Sequence, residues 1–178
     1  MNQFKFLKIT DFEYLLTIYE SVKASIQEDI NHLQVAQNIN VLLTEQVYPI
    51  DFYKQSIDIL TESTFLQIYT KLEAALYNEC DTYSIMKKAS ISRFESALSE
   101  QGYSINNEDW QKLLGISKVR NCLLHGNGRL DADRYGLDTK DTITILNADA
   151  HKVLIETGYL DTNRKESSTI RLHASFLY

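Results

Sequence analysis

The sequence predicts a mainly α-helical protein with a small β-rich tail. Three observations carry this. Proline occurs once and glycine six times in 178 residues, too few breakers for a strand-and-turn fold. Apolar residues recur at helical spacing through the first two thirds of the chain. Beyond that, short runs such as "TITIL" and "KVLIETGYL" are β-branched and alternating, the pattern of a half-buried strand. The size and the ordinary composition, 44% hydrophobic and 24% charged, suit one globular domain. No low-complexity linker interrupts it. One domain over 1–178 is expected, with a helical bundle over about 10–130 and a β-rich extension over about 140–178.

The first helix opens in "ITDFEYLLTIYESVKASIQEDINHL". Thr10 and Glu13 have capping-box spacing. Phe12, Leu15, Leu16, Tyr19, Val22, Ile26, Ile30 and Leu33 form its stripe. The pattern runs on through Ile39 and Leu43, as one long helix or two nearly collinear ones, until Pro49 closes it. "YPIDFYKQSID" reads as irregular. "STFLQIYTKLEAALYNEC" is the second helix, striped by Phe65, Tyr69, Leu72, Leu76 and Cys80. "SISRFESALSEQG" is a short third helix, capped by Ser90 and ended near Gly102. "NNEDWQKLLGISKVRNCLLHG" is the fourth. Asn106 is its N-cap, with Asp109 three residues on, and Gly126 is its C-terminal stop. In the tail, "TITIL" and "KVLIETGYL", separated by "NADAH", read as a hairpin or small sheet. "STIRLHASFLY" reads equally as a further strand or a short helix.

Composition narrows the function classes. A net charge of −6 argues against a broad nucleic-acid surface, which rests on many Lys and Arg, but leaves room for a local basic cleft. Cys80 and Cys122 lie in apolar helical patterns without CxxC spacing, so they read as free buried thiols in a reducing compartment. "MNQFKFLKIT" lacks the layout of a signal peptide, and no apolar run has membrane-spanning length. A cytoplasmic protein without a membrane partner is expected. No GxGxxG, P-loop, Ser/His/Asp set or Mg²⁺-binding carboxylate cluster is present. No cofactor and no metal are therefore expected.

The most informative stretch is "KVRNCLLHGNGR", residues 118–129. At about 100° per residue with Trp110 at zero, Leu113, Leu114 and Leu124 fall within about 60° of it. They predict a buried arc. Ser117 and Asn121 fall inside that arc, with Arg120 and His125 on its two edges. A buried polar group without a partner costs about 1–3 kcal/mol, so Arg120 needs a carboxylate, a carbonyl, a partner subunit or a ligand phosphate. Asn121 and His125, four residues apart, are placed to touch. Asn121 is expected to hold one imidazole nitrogen and fix its tautomer. Lys118 and Arg129 lie nearby. Glu73 borders the stripe of the second helix, either as a surface glutamate or as a partner for Arg120 or for the cleft of a partner chain.

A histidine moves protons near neutral pH, and an arginine fork suits a phosphoryl oxygen. Together they can cleave RNA without a metal, the histidine activating the ribose 2′-hydroxyl or protonating the leaving oxygen. A purely structural reading stands beside this one. Histidine is favourable at a helix C-terminus, and Gly-Asn-Gly is good stop chemistry. His32, His151 and His173 are isolated. Lys87, Lys88 and Arg93 read as a solvated face. Tyr14, Tyr19, Tyr69 and Tyr77 read as core or interface residues.

"RNCLLHGNG" resembles the Arg-polar-x3-His signature of HEPN domains, helical ribonuclease-like domains of toxin–antitoxin and phage-defence systems. The upstream "LEAALYNEC" helix, a short middle helix and the motif on a late helix match that family's layout over roughly 10–130. The resemblance implies an antiparallel helical bundle that dimerises and brings two motif copies into one RNA-cutting cleft. Arg120 and His125 would be catalytic, and Asn121 would orient the histidine. Glu73 and Ser117 are expected to support them, and Lys118 and Arg129 to contact RNA. Products would be a 2′,3′-cyclic phosphate and a 5′-hydroxyl. Implied partners are RNA, a second copy, and an antitoxin or another defence-system subunit. One toxin branch carries a tyrosine two residues after the histidine, which its antitoxin modifies. Asn127 stands there, so that control is not expected. The alternatives are a catalytically inactive HEPN-type module binding RNA, a nucleotide or a protein, and a helical interaction domain with no nucleic-acid role.

Overall fold

Helix dominates wherever the apolar period is 3.6. The computed structural model of the protein describes residues 9–39, 47–80, 91–130, 153–159, 166–172 and 177. Among them lie α1 (Ile9–Ile39), α2 (Val47–Cys80), α3 (Ser92–Glu100), α4 (Asn107–Gly126), β1 (Val153–Tyr159) and β2 (Glu166–Leu172). The protein is mainly α-helical. Two compact units are distinguished, one over Ile9–Ile68 and one over Tyr69–Phe176. The division falls inside α2.

In the first unit, Tyr19 and Ile30 of α1 are buried, as are Ile50, Thr61, Thr64 and Phe65 of α2. The Tyr19 hydroxyl and Thr61 Oγ1 share a hydrogen bond of 3.1 Å. Thr61 also donates to the Ile57 carbonyl at 2.8 Å. α1 begins at Ile9, so Thr10 lies inside its first turn instead of capping it. Val22, expected in the stripe, is exposed. Pro49 does not close α1. It stands in the first turn of α2, where a backbone N–H has no intrahelical partner to lose and a fixed φ suits the helix. "YPIDFYKQSID" is accordingly helical.

The second unit holds Tyr69, Leu76 and Cys80 of α2, with Phe94, Ala97 and Leu98 of α3, in its core. Ile91 precedes α3 in helical conformation and makes no side-chain cap; Ser90 lies outside the described residues. At the far end Gly102 adopts φ 85°, and Tyr103 N donates to the Leu98 carbonyl at 3.0 Å. Asn106 caps α4 as expected, its Oδ1 accepting from Glu108 N at 2.9 Å. The stop of α4 is displaced by one residue. Gly126 is still helical, and Asn127 takes the left-handed conformation at φ 50°, which asparagine tolerates better than most residues. Gly128 N then closes on the Cys122 carbonyl at 3.0 Å.

β1 and β2 pair antiparallel, from Val153 opposite Leu172 to Tyr159 opposite Glu166. The partner of "KVLIETGYL" is thus 166–172; "TITIL" lies outside the described residues. Ile170 N donates to the Gly128 carbonyl at 2.8 Å, so β2 meets the turn that follows α4.

Candidate functional site

The buried face of α4 is not the one its leucines predict. Trp110 is buried, but the other fully buried positions are Gly115, Val119, Cys122 and Gly126. These lie about 120–180° around the helix from Trp110. Leu124 is 48% exposed, and Leu113 and Leu114 are half-buried. The periodicity of large apolar residues points to one face. Packing takes the opposite one, where small side chains let neighbouring backbone approach. Ser117, Arg120 and Asn121 are therefore half-buried, and His125 is exposed.

Arg120 is the centre of the polar cluster. Its Nη1 donates to Asn121 Oδ1 at 2.8 Å. Its Nη2 donates to Glu73 Oε2 at 3.2 Å. Arg120 is 23% exposed and Glu73 31%. Glu73 is thus the partner of Arg120, and not an isolated surface carboxylate. The guanidinium carbon sits 5.4 Å from the centroid of the Tyr69 ring, within cation–π range. Tyr69 and Glu73 are four residues apart on α2, one turn of the same face.

The Tyr69 phenol is pushed up to about 12. Burial is the main cause, and the Glu73 charge adds to it. A hydrogen bond from Ser117 and the Arg120 charge pull the other way. The cluster therefore joins Tyr69 and Glu73 of α2 to Ser117, Arg120 and Asn121 of α4. Tyr69 was legible in the sequence only as a core residue. The signal for more was its spacing from Glu73.

The Asn121 carboxamide oxygen faces Arg120, where the four-residue spacing had suggested the imidazole. The Arg120 side chain is long enough to fold back across the helix to it. His125 lies in the last turn of α4, where positive charge is favoured by the helix dipole. It is about 140° around the helix from Arg120, so the two do not share a face. Lys118 is exposed and Arg129 half-buried. The Arg129 carbonyl accepts from Cys122 Sγ at 3.5 Å.

Cys80 and Cys122 are free and buried, and burial pushes the Cys80 thiol up, helped by the Glu79 charge. His32 is exposed, 4.0 Å from Glu28. Arg93 is exposed. Tyr14 and Tyr77 are exposed, whereas Tyr19 and Tyr69 are in the core. His151, His173, Lys87 and Lys88 lie outside the described residues. Among the described residues, no group of three or more His, Cys, Asp or Glu is placed to hold a metal ion. No described helix is long and apolar enough to cross a membrane. Comparison with known proteins returns no match among family models, curated proteins or solved structures.

Proposed function

We propose that the protein is a metal-independent endoribonuclease of the HEPN type, acting through Arg120 and His125 as a toxin or antiviral defence effector in the cytoplasm. The observation that carries this reading is the way Arg120 is held. Two of its donors engage Asn121 and Glu73, which leaves each Nη with a second N–H. A half-buried guanidinium anchored at both tips suits a phosphate oxygen and its developing charge.

His125 supplies the proton chemistry. The ribose 2′-oxygen attacks phosphorus as its proton passes to a base. The bond to the 5′-oxygen breaks, and that oxygen takes up a proton. A 2′,3′-cyclic phosphate and a 5′-hydroxyl result. One histidine serves one of these transfers, so a second copy of the motif would supply the other. The exposed Leu124 beside His125 suits coverage by a second copy of the chain in an antiparallel HEPN bundle dimer. Lys118 and Arg129 would contact the RNA backbone, and an antitoxin or another defence-system subunit would restrain activity.

A second reading has its own observation. Glu73 already balances the Arg120 charge, which suits a catalytically inactive module binding RNA, a nucleotide or a protein. RNA cleavage in EDTA by the wild type, His125→Ala and Arg120→Ala distinguishes the two. Either substitution is expected to lower the rate by about 100-fold or more. Equal activity in all three overturns the assignment, and loss of wild-type activity in EDTA overturns the metal-free mechanism. A monomer by light scattering overturns the two-copy cleft.

A further inference from the structure

We propose that Tyr69 is the positioning residue for Arg120: its ring is the fixed floor that sets the plane of the guanidinium, so that the affinity of the site for a phosphate anion depends on that ring. The inference rests on the reading of Arg120 as an anion-binding group.

Arg120 is a long side chain secured at its two Nη tips. One tip bonds to Asn121, its neighbour in the chain. The other bonds to Glu73, itself 31% exposed. Two tip contacts leave the planar group free to swing about the line joining them. Which way its remaining N–H groups point then depends on what else the group meets. The guanidinium carbon stands over the Tyr69 ring, 5.4 Å from its centroid.

Tyr69 is suited to be a floor because it is packed in the core. It is 2% exposed, and both Ser117 of α4 and Glu73 of α2 act on its phenol. Ser117 stands one turn before Arg120, on the helix that carries the arginine. With its phenol pushed up to about 12, the ring stays neutral, an electron-rich face for the cation and not a competing anion. Arg120 Nε is buried with no hydrogen-bond partner among the described residues. Hydrogen bonding at Nε is therefore not what holds the plane, and the ring is left to do so.

Three variants separate the ring from its volume: Tyr69→Phe, Tyr69→Met, and Tyr69 replaced by pentafluorophenylalanine, which keeps the shape but reverses the polarity of the ring face. Two measurements are made on each folded protein. One is affinity for a 2′-O-methyl oligoribonucleotide, which cannot be cleaved. The other is the NMR order parameter of the Arg120 Nε–H, read without RNA. Tyr69→Phe is expected to bind within about twofold of wild type, because it keeps the π face. The methionine and fluorinated variants should weaken binding roughly three- to thirtyfold and make Nε mobile. In an Arg120→Lys background the same losses should shrink, because the planar partner is gone.

Wild-type affinity and Nε order in both the methionine and fluorinated variants overturn the proposal, as do losses that multiply undiminished in the Arg120→Lys background. If Tyr69→Met does not fold, the fluorinated variant alone decides by the same criteria. If the wild type does not bind the probe, the RNA reading fails, and the role of Tyr69 is still decided by Nε order.

Discussion

Glu73 and Arg120 stand 47 residues apart in sequence and meet at 3.2 Å, Oε2 to Nη2. The contact joins α2 to α4 and anchors one tip of the Arg120 guanidinium. Glu73→Gln keeps an oxygen acceptor and removes the charge. Both side chains retain solvent contact, so the expected destabilisation is no more than about 1 kcal/mol, measured by urea melts. If Arg120 takes a phosphate as proposed, RNA binding should tighten by roughly threefold, because Arg120 no longer shares its charge. Glu73→Ala removes the acceptor as well and should lower turnover. A glutamine variant that binds RNA more weakly than wild type contradicts this division of roles.

The turn after α4 is the least tolerant piece of backbone near His125. Gly128 has φ 75°, and a Cβ there would stand 3.1 Å from the Ile170 carbonyl oxygen. Gly128→Ala should cost about 1–3 kcal/mol from the strained φ alone. Asn127→Gly, at φ 50°, should be neutral within a few tenths of a kcal/mol, since glycine enters the left-handed region freely. Thermal melts of the two variants side by side check the contrast.

The N-terminus of α4 rests on one side chain. Asn106 Oδ1 accepts from Glu108 N at 2.9 Å, so Asn106→Ala should lose about 1 kcal/mol. Asn106→Asp should retain the cap and gain from a negative charge at the helix start. Denaturant midpoints of the three proteins test the order.

Alkaline pH should loosen the second unit in a defined window. Burial above all pushes the Tyr69 phenol from its ordinary 10 up to about 12. The Tyr103 phenol also rises to about 12, chiefly through its 2.6 Å hydrogen bond to Glu79. A folded pKa raised above the unfolded value stabilises fully below that unfolded value. The benefit is present below pH 10 and fades as the pH climbs to about 12. Stability should therefore fall between those limits. Tyr69→Phe should remove part of the slope, and Tyr69→Phe with Tyr103→Phe more of it. A slope unchanged in the double variant contradicts the assignment.

The thiols should be inert in the native protein. Cys80 and Cys122 are both fully buried, and the Cys80 thiol is raised by burial and by Glu79, which lowers its thiolate fraction. Iodoacetamide at pH 8 should leave both unmodified until urea unfolds the chain, as mass spectrometry would show. Rapid native alkylation of Cys80 would contradict the burial.

The helical character of the chain, the cap at Asn106, the buried thiols and the stripe from Phe65 to Cys80 are local properties, set by residue type and spacing within one or two turns. Those the sequence determined by itself. Pro49 shows the limit of local reading: the same residue ends a helix or begins one, and only the position of the first turn decides which. The tertiary structure decided which face of α4 is buried. Period alone weighed Leu113, Leu114 and Leu124 above Gly115, Val119, Cys122 and Gly126, yet close packing selects the face with room for a neighbour. It also decided that Glu73 and Tyr69 both belong to Arg120. A partner 47 residues away leaves no mark in the spacing of either helix. The contact exists because the folded chain brings two helix faces to hydrogen-bonding distance, and that distance is set by what packs beneath them.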